Sequence, residues 1–435
     1  IQAFSDRFSC WEFDGMTSSI VPIISLLMSA FFMLAAGGLA GYLLPLRAVE
    51  EGWSTFLISM IATGYAIGFT AGCMVVPRLV LRVGHVRVFA VLAAAMSISM
   101  LLHGLIIEPA AWVVFRAIAG FSIAGGYMVF ESWLNERVTN ETRGMVFSVY
   151  MVVSMVAVMA GQFMVPLGDP MTASLFMVAA IVYALALMPT GLSSAQSPQP
   201  LTQTSLNLKK LFLNSPAAVV GAALSGAISG SWHNLAPVFA KENGLSTTSG
   251  ATMLAIAMIG GAVFQIPFGR LSDRIDRRYM MAITGLIGAG MCAVIMLVGT
   301  ANLPFFLITM FLLGSVLFVI YSMVVAHAND YAQPDEFVSV SGGLLIVYGT
   351  GTMFGPLVSG ALMDRTGSYA LFVVLGACFA AYGGYAYFRS FRRAPATEEE
   401  RVDFQAIPIT RTQTPQTYEL DPRVDYTGEE ESESD

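Results

Sequence analysis

Long apolar runs, each closed by a short polar or charged turn, fill the chain from Ile20 to Phe391. A helix needs roughly 20 apolar residues to cross about 30 Å of hydrocarbon. Only helices and closed barrels satisfy their backbone polar groups in lipid. The runs are continuous rather than alternating, so they predict helices. Twelve spans are expected, at 20–44, 55–77, 87–107, 111–134, 143–166, 172–190, 216–240, 247–268, 279–300, 303–328, 338–363 and 369–391.

The pattern also repeats. Residues 43–55 (LLPLRAVEEGWST) and 235–247 (LAPVFAKENGLST) match at seven of thirteen positions, an offset of 192 that continues to Gly68 and Gly260. At an offset of 194, Gly120 matches Gly314, Tyr127 matches Tyr321, Asn135 matches Asn329, Glu136 matches Asp330 and Gly161 matches Gly355. Spans one to six and seven to twelve are therefore two copies of one unit. Six is even, so the copies share an orientation and are related by an axis along the membrane normal. The expected organisation is an N-terminal segment (1–19), a six-helix bundle (20–190), a cytoplasmic linker (191–215), a second bundle (216–391) and an acidic tail (392–435). Met16, just before the first span, is read as a possible true start. The linker is polar and Pro-rich, then carries LNLKKLF, read as a short interfacial helix.

Composition agrees: 56% of residues are hydrophobic and 12% charged, against about 25% charged in soluble proteins. That excludes a nucleic-acid binder and an ordinary soluble enzyme, and makes the lipid bilayer the main partner. The net charge of −7 belongs to the end of the chain. Residues 394–435 hold 12 acidic and three basic groups, a net of −9, which leaves +2 for the rest. The tail is expected to be disordered. With both termini inside, 14 Lys and Arg fall in inner loops and three (Arg47, Lys241, Arg365) in outer ones, which satisfies the positive-inside rule. Cys10, Cys73, Cys292 and Cys378 are scattered without metal or redox spacing. No phosphate-cradling loop or nucleophile constellation occurs, so no cofactor is expected and a monomer suffices.

Polar groups inside apolar runs are expensive in lipid, so they face the bundle interior and mark candidate chemistry. Arg116 lies about one turn from the outer end of the fourth span, either on a solute path or snorkelling outward. Glu131 shares a helix face with Asn135 near the inner end of that span. It is a protonatable group in the path, a gate partner of Arg78 or Arg82, or a plain solvated helix end. His233, beside Asn234 in the seventh span, is a binding or relay group or a hydrogen-bonded packing residue. Tyr127, Gln162 and Gln265 are further polar groups within spans.

The inner loop between spans eight and nine reads GRLSDRIDRR, and its counterpart 192 residues earlier is PRLVLRVGHVR. With twelve spans in two repeats, this resembles the cytoplasmic loop motif of the major facilitator superfamily, Gly-x-Leu-x-Asp-Arg-x-Gly-Arg-Arg. The resemblance covers about residues 20–391. The second copy is nearly complete, with Asp276 at the later Gly, whereas the first has Leu81 in place of the Asp. The resemblance implies an inner gate in which Asp273 and Arg274 lead. Gly269, Arg270, Arg277, Arg278 and Asp330 stand beside them, with Arg78, Arg82, Arg87 and Glu136 from the first half. RAIAG at Arg116 resembles the family's helix-four Arg-x-x-x-Gly motif. GTGTMFGPLVSG resembles the Gly-Pro motif of antiporter helix five, but stands in the eleventh span. Gly351, Gly355, Pro356 and Gly360 there read as packing and hinge positions. ESWLN and ETRG resemble the YcaD-like branch.

The family implies an all-α MFS fold in a bacterial inner membrane. It further implies alternating-access transport of a small organic substrate, linked to protons. The competing reading is a transporter-like sensor that binds without turnover.

Overall fold

The computed structural model describes residues 23–136, 142–191, 208–332, 337–392 and Phe404. Its helices are α1 (Ile24–Glu50), α2 (Thr55–Val83), α3 (His85–Leu105), α4 (Pro109–Glu136), α5 (Arg143–Met164), α6 (Ser174–Leu185), α7 (Leu187–Gly191), α8 (Leu208–Asn214), α9 (Pro216–Glu242), α10 (Thr247–Arg274), α11 (Arg277–Val298), α12 (Leu303–Leu317), α13 (Ile320–Asn329), α14 (Phe337–Thr366) and α15 (Ala370–Ser390). The pair α6 and α7 makes the sixth span, and α12 and α13 make the tenth. No strand occurs among the described residues. The N-terminal segment with Met16, residues 192–207 of the linker and the tail apart from Phe404 lie outside the description, as does the Glu136 side chain.

Eleven of the twelve spans are long and apolar enough to cross a membrane by length and composition alone. The twelfth, α9, has 27 residues, about 40 Å of helix. Its glycines, serines, His233 and Asn234 lower its apolarity. That composition is tolerable because α9 lies mostly inside protein: Ser225, Ser229, Ser231, Trp232 and Asn234 are all buried. Helices α2 and α10 continue to Val83 and Arg274, six residues past the expected ends at 77 and 268. The apolar run marks where lipid stops, whereas helical hydrogen bonds continue into water.

The two repeats coincide in detail. At the α1–α2 corner, Gly52 has φ 73° and at the α9–α10 corner Gly244 has φ 71°, the left-handed conformation that favours glycine at a helix end. Trp53 N–H donates to the Ala48 carbonyl as Leu245 N–H does to Ala240, both at 3.0 Å. Ser54 and Ser246 then cap the following helices through their hydroxyls. The matched glycines are sites of helix contact. A Cβ at Gly161 would collide with the Ala35 carbonyl, and at Gly355 with that of Ala227. At Gly120 it would meet Tyr65, and at Gly314 Ala257. These partners are themselves 192 residues apart.

Candidate functional site

A cavity lies between the two halves, with about 850 Å³ of empty space counting its opening to solvent. Helices α1, α2, α4, α5 and α6 wall it from the first half, and α9, α10 and the α12–α13 junction from the second. Four residues expected on a path meet here: Arg116, Tyr127, Gln162 and His233. Arg116 is 8% exposed, and its guanidinium lies over the Tyr65 ring, 4.2 Å from the centroid. It faces the cavity rather than snorkelling outward. His233 is oriented by its own helix, with Nδ1 2.8 Å from the Ser229 carbonyl and its ring edge-on to Phe318. Gly41, its repeat partner, also lines the cavity and has open space beside it. Gln162 places Nε2 4.0 Å from the Met258 sulfur, while its Oε1 is buried without a hydrogen-bond partner.

Tyr65, Tyr183, Trp232 and Phe318 line the same cavity and were not singled out from sequence. An aromatic in an apolar run looks like ordinary core, although Trp232 adjoins His233 in the chain. Phe318 sits where the tenth span breaks between α12 and α13, its N–H reaching back to Gly314 at 3.4 Å. No Pro or Gly marks that break. Irregular backbone at membrane depth is tolerated where it borders a cavity.

Three candidates lie outside the cavity lining. Glu131 is fully buried, and the Tyr150 hydroxyl donates to its Oε1 at 3.5 Å. Asn234 donates to the Gly230 carbonyl at 2.7 Å, and Gln265 to the Ser322 hydroxyl at 3.2 Å.

Several contacts join the halves near the α1–α2 and α9–α10 corners, the outer end in the expected orientation. Asp364 of α14 accepts the Thr55 and Phe56 N–H groups at 2.7 and 3.0 Å, so a carboxylate of one half caps the α2 N-terminus of the other. Tyr42 donates to the Thr247 carbonyl at 2.7 Å, and Thr63 to that of Met353 at 3.0 Å. Lys241 pairs with Glu50. Gly360 packs on Ser59 and the Thr55 backbone, with no space for a Cβ. Gly351 and Gly355 instead bring α14 against α9, at the Ala223 and Ala227 carbonyls. Pro356 stands within α14, one residue beyond Gly355.

The opposite end of the second half, inner in the expected orientation, is held by ion pairs. Arg277 donates from Nε to Asp330 at 2.8 Å and pairs through Nη2 with Asp273 at 3.0 Å. Arg278 pairs with Asp276 at 2.6 Å and donates to the Arg389 carbonyl at 3.1 Å. Asp276 also accepts the Arg278 N–H, capping α11. Burial pushes its carboxyl up, but the hydrogen bonds and charge of Arg278 outweigh this and leave it below its ordinary range. Arg270 and Arg274 are exposed, so the pairing that the loop motif implied for Arg274 is made by Arg277. Arg78, Arg82 and Arg87 are likewise exposed and take no ion pair among the described residues, so none reaches Glu131. Gly269 has a further role: the Phe404 ring occupies the space a Cβ would need, while Phe404 N–H donates to Asp273 Oδ1 at 3.0 Å. The tail therefore touches the loop motif.

The family model described as Major Facilitator Superfamily matches residues 26–261 and 218–415, two segments that together span both repeats. The chain is 26% identical over 357 residues to the MFS-type transporter YcaD of Escherichia fergusonii, covering 81% of this chain and 92% of the relative. YcaD of Escherichia coli O17:K52:H18 is 25% identical over 365 residues, covering 83% and 94%. These relatives agree with the branch resemblance seen in ESWLN and ETRG. The fold is similar to that of the nucleoside transporter NupG, with a TM-score of 0.72 at 15% identity, covering 85% of this chain and 98% of the other. A bacterial homologue of the human lysosomal transporter Spinster, inward-facing and occupied, gives 0.69 at 13% identity, covering 87% and 97%. With an all-α fold, paired six-helix repeats and a family match across both, the chain belongs to the Major Facilitator Superfamily of transporters.

Proposed function

We propose that this protein is a secondary active transporter that moves a small organic solute by alternating access, coupled to protons. It would sit in a bacterial inner membrane with both termini in the cytoplasm. One observation carries the reading: a cavity with Arg116, Tyr127, Gln162 and His233 in its largely apolar wall is built from both repeats, and further contacts join the halves near the α1–α2 and α9–α10 corners. A site shared by two rigid bundles is exposed to alternate sides when they rock. In this proposal the Arg277–Asp330–Asp273 cluster belongs to the inner gate. The small residues of α14, with Pro356, let it move against α9 and α2. Glu131 is the proton site, a carboxyl wholly removed from water with the Tyr150 hydroxyl to share its proton.

The test is solute uptake in proteoliposomes under an imposed pH gradient. Flux that follows the gradient, and loses that dependence in Glu131→Gln while folding is retained, is the expected result. Flux in the wild type that ignores the gradient would remove proton coupling and leave transport standing. A ligand that binds tightly but never crosses would select a sensor.

A further inference from the structure

We propose that the central cavity takes amphipathic organic anions, with Arg116 as their counter-charge; this deepens the transport reading and rests on it. The first ground is the charge itself. Arg116 is buried to 8% exposure at membrane depth, yet makes no hydrogen bond or ion pair with any described residue. Among the described residues it faces the ring of Tyr65, with the Tyr183 hydroxyl close enough to interact electrostatically, and neither is a counter-ion. A ring face attracts a cation but does not neutralise it. An uncompensated charge at this depth is expensive, and such groups persist where they meet a ligand or an ion pathway.

The second ground is the lining. Among the described residues no Asp or Glu borders the cavity, so Arg116 sets the sign of its field, and a cationic solute would meet repulsion without a partner there. The third is Gln162, whose buried Oε1 has no hydrogen-bond partner among the described residues and suits a hydroxyl or N–H on the solute. The remaining wall is aromatic and aliphatic, including Trp232, Phe318, Leu254 and Met258. Pockets of this composition bind an apolar body and orient it by a few polar groups. The chemistry that fits is a carboxylate, sulfonate or phosphate on an apolar or aromatic frame.

The experiment uses the full chain purified in a neutral detergent and a matched panel of probes. These are 1-naphthoate, 1-naphthalenesulfonate and phenyl phosphate, against 1-naphthamide and 1-naphthylmethylammonium. The anions are expected to raise the unfolding temperature at millimolar concentration, and the amide and ammonium are not. Arg116→Gln should weaken anion binding about tenfold or more. Arg116→Lys should retain part of it, and Lys209→Gln, exposed on α8, all of it. An ammonium or amide shift equal to that of the carboxylate overturns the proposal. So does the absence of any anion shift, or an undiminished shift in Arg116→Gln. If Arg116→Gln does not fold, the wild-type comparison of charges decides by itself. Counterflow in zwitterionic proteoliposomes separates the two readings. A bound anion that never exchanges sinks transport alone, whereas exchange of the ammonium sinks the anion assignment alone.

Discussion

Arg277 is the residue on which the inner end of the second half turns. Its side chain is 2% exposed and that of Asp330 4%, so both charges have lost nearly all their water. Such a pair returns little net stability when intact, but leaves an uncompensated charge when one partner is removed. The equivalent position 192 residues earlier is His85, whose Nε2 lies 3.3 Å from the Ser132 hydroxyl. Among the described residues, Arg277 makes an ion pair in one repeat and His85 a hydrogen bond to Ser132 in the other. Asp330→Asn is expected to destabilise the protein by about 3 kcal/mol. Ser132→Ala should cost about 1 kcal/mol. Thermal unfolding of both variants beside the wild type checks the ordering, and a smaller loss in Asp330→Asn would contradict it. The loop motif put Asp273 and Arg274 first, with Arg277 beside them, and in the structure it is Arg277 that pairs with Asp273. Residues 273–278 form a helix end, a turn and a new helix start, and composition does not say which of four arginines such a turn carries inward. Polar groups in apolar runs were more legible. Arg116, Tyr127, Gln162 and His233 stood out because lipid forbids them, and all four line one cavity.

At the scale of helices, glycine spacing carries the packing. Gly161 and Gly355, matched by the repeat, each press on a carbonyl of the neighbouring helix. Van der Waals fit between small residues is what associates helices in a membrane, because lipid tails remove the hydrophobic drive. A methyl there must push two backbones apart. Gly161→Ala and Gly355→Ala should each cost about 1–3 kcal/mol, the usual penalty of overpacking. Gly384, exposed on α15 with nothing near its Cβ position, is the control. Gly384→Ala should be neutral or stabilise by up to about 1 kcal/mol through helix propensity. Unfolding temperatures of the three variants decide, and an equal response at all three would refute contact as the cause. Spans and repeat were readable in sequence because length, apolarity and glycine register are one-dimensional signals. The break between α12 and α13 was not, since GSVLFVIYS contains nothing that forbids a helix and only the neighbouring cavity gives the bend a place.

At the scale of the whole molecule, the two bundles meet near the α1–α2 and α9–α10 corners, the outer end in the proposed orientation, through groups far apart in the sequence. Asp364 places a carboxylate on the N–H groups that begin α2, where the partial positive charge of the helix end favours an anion. Lys241 and Glu50 add an ion pair across the same seam. An exposed pair is worth less than about 1 kcal/mol. A cap is worth about 0.5–2 kcal/mol. Asp364 should therefore matter more to closure than Lys241, although Lys241 carries the more visible charge. Because the contact exists only when the outer ends are together, its loss raises the energy of that state and leaves the opposite state alone. Asp364→Asn should shift the population towards outer opening by about two- to thirtyfold, the range a cap of that strength sets. Gly41, open to the cavity and free of neighbours, supplies the reporter. Gly41→Cys, in a background lacking the four native cysteines, should react faster with an impermeant thiol reagent added outside when Asp364→Asn is present. Lys241→Gln should change the rate less. Equal rates in all three proteins would mean that the outer seam does not control access to the cavity.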